Sequence, residues 1–172
     1  MSTFPKQELE TLWAPWRVEY YERKGVSMNF LEEAAQSTDD PKSLVVTRRK
    51  HTFLIMNAYP YAAGHLMAVP YAKVARTEDL SPEAKLELWE LAELAQRILR
   101  KVVSAQGFNL GLNLGTCAGA GVADHLHLHI VPRWEGDHNF MTVIPPGHPR
   151  LIPEGLETMY QKLSEAARSE SV

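Results

Sequence analysis

The apolar positions change their period twice along this chain. From Leu44 to Val69 they fall in short runs, Leu44–Arg49, Thr52–Asn57 and His65–Val69, each the length of a strand. The break Ala58-Tyr59-Pro60-Tyr61-Ala62-Ala63-Gly64 predicts a turn through its Pro and Gly. Ser81-Pro82 then predicts a helix start, with Ser as N-cap and Pro in the first turn. Leu88, Leu91, Ala95, Ile98, Leu99 and Val102 follow at helical spacing, and Gly107 is the expected stop. Alternation returns in Phe108–Leu114. A Gly-rich stretch, Gly115–Gly121, separates it from a last alternating run, His125–Val131. A short helix is expected from Glu154 to about Ala167. Strands, one long helix, more strands and a C-terminal helix predict an α+β fold on a mostly antiparallel five-stranded sheet.

The flanks read differently. QSTDDPKS at 36–43 is polar and predicts a loop. Thr11–Tyr21, TLWAPWRVEYY, is an aromatic arm, its rings suited either to cover the edge of the chain's own core or to meet a second subunit. The expected division is an N-terminal arm and loop at 1–43, a core domain at 44–144 and a tail with its helix at 145–172.

Composition narrows the partners. A chain of 172 residues that is 45% apolar has enough material for one hydrophobic core. The formal net charge of −3 offers no general polyanion-binding surface, so nucleic acid is not expected, although a local nucleotide site remains open. No apolar stretch is long enough to span a bilayer, and MSTFPKQELETLW carries no signal core. The single Cys117 excludes an internal disulfide and a CxxC zinc site. A cytoplasmic protein is the expectation.

Three of the seven histidines, His125, His127 and His129, alternate with Leu126, Leu128 and Ile130. On an extended strand this places the imidazoles on one face and the apolar side chains on the other, with same-face neighbours about 6.8 Å apart at the backbone. One use of such a face is nucleophilic attack on phosphorus by a neutral imidazole whose second nitrogen is held by a hydrogen bond. His127, flanked by the other two, is then the candidate nucleophile, with His129 on a phosphoryl oxygen and His125 in support. The Gly-rich run leads straight into this strand, where small residues let backbone N–H groups approach an anion. Asn113 just before it offers an amide. The other use is a zinc site, since three imidazoles and a water suffice, with Asp124, Glu135 and Asp137 near in sequence. Spacing alone does not separate these two, and three solvated strand histidines are the bland alternative.

His125 through Val131 read His-φ-His-φ-His-φ-φ with φ apolar, and here the sequence resembles the histidine triad family. The resemblance extends from about Leu44 to Trp134 through Phe53-Leu54-Ile55-Met56-Asn57, Tyr59-Pro60, Gly64-His65-Leu66-Met67-Ala68-Val69-Pro70 and Gly107–Gly115. Leu12–Arg17 and Arg133–Met141 are similar to the branch holding bacterial diadenosine tetraphosphate phosphorylases and fragile-histidine-type hydrolases. The resemblance implies that family's fold, a homodimer and a covalent nucleotidyl-histidine intermediate. It implies attack by His127 on the α-phosphorus, support from His125 and His129, and His65 as a fourth histidine of the cluster. It places Asn57 at the ribose and Asn113, Gly119, Ala120 and Gly121 at the phosphates. The implied activity is nucleotidyl transfer on dinucleoside polyphosphates, foremost phosphorolysis of diadenosine tetraphosphate to ADP and ATP. Hydrolysis by the same residues, a nucleoside phosphoramidase and a nucleotide sensor without turnover are the alternatives.

One departure bears on metals. Many members of this branch carry a CxxC, and a later histidine, that together hold a structural zinc. This chain has Val26-Ser27-Met28-Asn29-Phe30 in the first region and Lys73 in the second. No structural zinc and no required cofactor are therefore expected. Phe30 and Leu31 are expected to hold Met28–Ala34 by apolar packing instead.

Overall fold

The computed structural model describes residues 30–137 and 155–170. Strands β1 (Val45–Arg48), β2 (Thr52–Met56), β3 (Leu66–Pro70), β4 (Gly107–Leu112) and β5 (Leu128–Arg133) form one sheet in the order β1-β2-β3-β5-β4, every neighbouring pair antiparallel. Among the described residues four α-helices accompany them: α1 (Phe30–Gln36), α2 (Asp40–Ser43), α3 (Pro82–Val103) and α4 (Leu156–Glu170). The expected α+β architecture is present. β2 and β3 are buried on both faces, which is why TFLIM and LMAVP read as continuous apolar runs.

The sheet has two unlike faces. Leu54, Met56, Leu66, Ala68, Leu128 and Ile130 pack under Leu88, Leu91, Leu94, Ala95, Ile98 and Leu99 of α3 and Met159 and Leu163 of α4. On the opposite face Val45, Phe53, Ile55, Met67 and Val69 meet Leu31 and Ala34 of α1. That second cover ends before β5 and β4, and the histidines occupy the remaining part of the face.

Ser81 caps α3 as expected, its Oγ accepting the Ala84 N–H at 3.1 Å. The helix stops earlier than expected. Ser104, not Gly107, takes the left-handed conformation at φ 53°. By Gln106 the backbone already donates to Arg133 O at 3.0 Å, so entry into the sheet, and not the glycine, sets the stop. Gly107 opens β4 instead.

The segment 36–43 is not all loop. Pro41 sits in the first turn of α2, and Asp39 Oδ1 accepts the Lys42 N–H at 3.2 Å. Arg48 anchors this corner: its Nη2 donates to Ala34 O at 2.8 Å and Ser37 O at 2.9 Å, and its Nε to Asp40 at 2.9 Å. A guanidinium on the free carbonyls of α1 is favoured by hydrogen bonding and by the helix dipole together. Leu31 is fully buried there, as expected, whereas Phe30 is 38% exposed and does not serve as the staple. The C-terminal helix runs Leu156–Glu170, later at both ends than expected, and its Tyr160 hydroxyl donates to Val45 O at 2.9 Å.

Candidate active site

β5 begins at Leu128, so the expected strand His125–Val131 is only half inside the ladder. Ala68↔Leu128 and Leu112↔Leu128 are the last pairs on either side, and Leu126 N–H turns away to Val74 O at 2.8 Å. His129 sits within the sheet, opposite Met67 of β3 and Gly111 of β4. Gly111 has no side chain, and a Cβ there would meet nothing within 4 Å, so the face is open beside His129.

His65, just ahead of β3, joins this cluster, as expected. Gly64 makes the approach possible: its φ is +79°, and a Cβ would stand 2.7 Å from the Leu99 side chain. The His65 and His129 rings lie 5.1 Å apart by centroid, and those of His127 and His129 4.8 Å apart, edge to face.

The hydrogen bonds decide the tautomers. The Tyr61 N–H donates to His65 Nδ1 at 3.1 Å, and the Asn57 amide lies 3.3 Å from the same atom. A backbone N–H can only donate, so His65 Nδ1 carries the lone pair and Nε2 the proton. His65 Nε2 lies 2.9 Å from His129 Nδ1 and donates to it. His129 in turn carries its proton on Nε2, a buried atom with no partner among the described residues. A backbone donor is thereby passed through two rings to an N–H facing the site.

His127 is set the other way round. Its Nδ1 lies 2.9 Å from His125 O, and a carbonyl can only accept. Nδ1 is protonated and the lone pair resides on Nε2. Burial lowers the pKa of His127 below the ordinary imidazole value, and that of His129 to about 4 by burial and then by the neighbouring His127. Both rings are neutral near pH 7. The site therefore offers one imidazole lone pair and one imidazole N–H side by side, the pair needed to attack a phosphorus while bonding one of its oxygens.

His125 departs from the expected row of three imidazoles. Its Nε2 donates to Pro70 O at 2.8 Å, and its Nδ1 is buried without a partner among the described residues. His127 is thus flanked by a ring on one side and by the carbonyl of His125 on the other. The backbone of His125, more than its imidazole, serves the cluster.

The remaining expected residues are placed less uniformly. Asn57 Oδ1 accepts the Tyr59 N–H at 2.8 Å, so its side chain is already spent on the turn and on His65. Half-buried Asn113 follows β4 directly, one residue past the last pair Leu112↔Leu128. In the Gly-rich run a 3-10 turn spans Thr116–Ala118 and Gly119 is left-handed at φ 84°. The N–H of Gly119 bonds Thr116 O and that of Ala120 bonds Gly115 O, so these two do not point freely at an anion. Trp13, Trp16, Arg17 and the stretch His138–Met141 lie outside the described residues.

One contributor escapes a reading of the sequence, and the contacts of a second, Lys73, show only in the fold. Tyr61 falls in a Pro- and Gly-bounded turn, which carries no periodicity, yet its ring lies 4.7 Å from that of His65 and 5.7 Å from that of His129. Lys73 joins α1 to the loop before the triad, pairing with Glu32 and, at 2.8 Å, with Asp124. The ammonium between two carboxylates also bears on the structural zinc weighed for this region. An ammonium held by two carboxylates and the lack of a thiol at Val26–Phe30 do not fit such a site.

The chain matches the HIT domain family over residues 38–136. It is 40% identical over 157 residues to an AP-4-A phosphorylase of Mycobacterium tuberculosis (strain ATCC 25618 / H37Rv), covering 87% of this chain and 80% of that one. It is 35% identical over 95 residues to an asymmetrical bis(5'-nucleosyl)-tetraphosphatase of Schizosaccharomyces pombe (strain 972 / ATCC 24843), covering 55% of this chain and 52% of that one. A zinc-bound histidine triad family protein from Mycobacterium smegmatis shares the fold with a TM-score of 0.61 at 23% identity, covering 74% of this chain and 86% of that one.

Proposed function

This chain belongs to the HIT domain family, and we propose that it is a phosphorylase of diadenosine tetraphosphate acting through an adenylyl-His127 intermediate. The carrying observation is the bond from His127 Nδ1 to His125 O, which leaves the Nε2 lone pair free to react. Nε2 attacks the α-phosphorus, the bond from that phosphorus to the bridging oxygen breaks, and ATP departs with the electron pair. The new imidazolium keeps its Nδ1–H on the His125 carbonyl, whose dipole stabilises the charge. His129 Nε2–H donates to a phosphoryl oxygen. Phosphate then attacks the same phosphorus, His127 leaves as a neutral imidazole, and ADP forms. Splitting one displacement into two is the gain of covalent catalysis.

Phosphate as acceptor is supported by the 40% identity to an AP-4-A phosphorylase across most of both chains. The tetraphosphatase relative favours the second reading, in which water takes the nucleotidyl group and AMP results. Incubating the protein with diadenosine tetraphosphate with and without phosphate separates the two. ADP formed only with phosphate is the expected result; AMP formed in phosphate-free buffer at the same rate would replace phosphorolysis by hydrolysis.

The reading requires no metal or cofactor. It extends to a homodimer: β4 is an edge strand, and Leu110 and Leu114 on and just after it are 38% and 47% exposed. Light scattering should give twice the chain mass. No described helix is long and apolar enough to cross a membrane, and a cytoplasmic location completes the proposal.

A further inference from the structure

Tyr61 touches the histidine cluster in two separable ways. Its backbone N–H fixes the His65 tautomer at 3.1 Å. Its ring lies against both members of the His65–His129 pair, 4.7 and 5.7 Å from their centroids and tilted 32° to each. His65 is fully buried and His129 nearly so, while Tyr61 is 37% exposed. The phenol ring therefore contacts both imidazoles while itself reaching solvent.

We propose that Tyr61 is a positioning residue whose ring shields the His65–His129 hydrogen bond from water and thereby holds the His129 N–H toward the substrate phosphate. A hydrogen bond between two neutral rings has no ionic component to secure it, and a competing water could take either nitrogen. Admitted water would let His129 adopt the opposite tautomer or accept a proton, and either change would remove its role. The titratable groups facing His129 are His65 from the start of β3, His127 from its own strand and Tyr61 from the turn; Met67 and Gly111 flank it in the sheet. No carboxylate, lysine or arginine is bonded to it among the described residues, and burial is the largest influence that lowers its pKa, ahead of the neighbouring His127.

The test compares Tyr61→Ala with Tyr61→Phe. Both keep the backbone N–H, so any difference belongs to the ring. Long-range proton–nitrogen spectra of the ligand-free protein, assigned with single histidine variants, report each ring's tautomer and titration. Tyr61→Ala should raise the His129 titration by about one pH unit, toward the ordinary imidazole value, and mix its tautomers. In the diadenosine tetraphosphate assay kcat should fall roughly tenfold with little change in KM, since one oriented N–H is weakened and not deleted. Tyr61→Phe should restore wild-type spectra and rate. Unchanged His129 spectra in Tyr61→Ala would overturn the proposal, and a KM rise that depends on the base would assign the ring to the nucleotide instead. Tyr61→Phe behaving like Tyr61→Ala would overturn it too, by assigning the effect to the hydroxyl. Tyr61→Ser, which also removes the ring and keeps the backbone N–H, gives the same readings if Tyr61→Ala does not fold. The kinetic arm rests on the proposed phosphorylase reading; the spectra need no substrate, so failure of that reading and failure of this one are distinguishable.

Discussion

Ile130 and His129 are neighbours on β5 and face opposite sides of the same sheet. Ile130 is fully buried among Leu66, α3 and α4, where its contribution is apolar area and close packing, insensitive to direction. His129 is almost as deeply buried, yet its contribution depends on which nitrogen holds a proton. The two faces also differ in completeness. The apolar face is filled by α3 and α4, whereas the histidine face leaves His125 Nδ1 and His129 Nε2 buried without partners among the described residues. Each such group costs about 1–3 kcal/mol. A face optimised for stability would not retain them; the His129 Nε2–H is suited to a phosphoryl oxygen, whereas His125 Nδ1, whose ring donates through Nε2 to Pro70 O, is an acceptor and has no such use.

Substitutions on the two faces should therefore separate activity from stability. His127→Ala removes the nucleophile and should lower kcat on diadenosine tetraphosphate on the order of 10^4-fold while the melting transition stays close to wild type. Near-normal turnover in this variant would end the covalent mechanism. Ile130→Ala is the converse. It should cost about 2–5 kcal/mol in urea unfolding and leave kcat per folded molecule unchanged. A large kcat loss at full folding would mean that the two faces are not independent.

His129→Asn tests the donor alone. Its kcat should fall by about 10^2–10^3, the usual range for one oriented donor. The pH dependence probes the same ring without mutation. An unfolded histidine titrates near 6.5, and folded His129 near 4. Between these values the unfolded chain binds more protons, so stability rises with pH across this window. The contribution of the neutral ring is complete above about 6.5 and is lost as pH falls toward 4, up to about 3 kcal/mol in all. Burial lowers His127 as well, which acts in the same direction. Urea midpoints measured from pH 4 to 7 should rise with pH; a flat profile would mean that the rings are hydrated.

Legibility followed the same division. Period is a property of the sequence, so the strands and the amphipathic α3 were readable from it, and Ser81-Pro82 marked a true cap. The alternation at His125–Val131 brought His127 and His129 together as expected. What alternation could not carry is hydrogen-bond direction. His125 lies ahead of the ladder and turns its ring to Pro70 O, a partner 55 residues away. Tyr61 lies in a turn, where aromatic residues follow no repeat, and no spacing places its ring beside those of His65 and His129. Ser104 as the end of α3 was hidden because glycine is the usual signal, whereas the stop is set by β5.

Lys73 supplies the smallest expected effect and refines the contrast between the faces. Its ion pairs with Glu32 and Asp124 tie α1, the cover of the completed half of the face, to the loop leading into the triad. Those carboxylates hold the Lys73 pKa above its ordinary value, and Lys73 lowers that of Asp124. All three groups reach solvent, so screening and side-chain entropy offset most of the attraction. Lys73→Met keeps the stem and removes the charge. The melting temperature should drop by no more than about 2 °C, with the gap closing at high salt, and kcat should change less than about twofold. A tenfold fall in kcat at unchanged stability would show that the loop before His125 needs this tether to hold the carbonyl on His127 Nδ1. The incomplete half of the face would then depend on its covered neighbour through a single side chain.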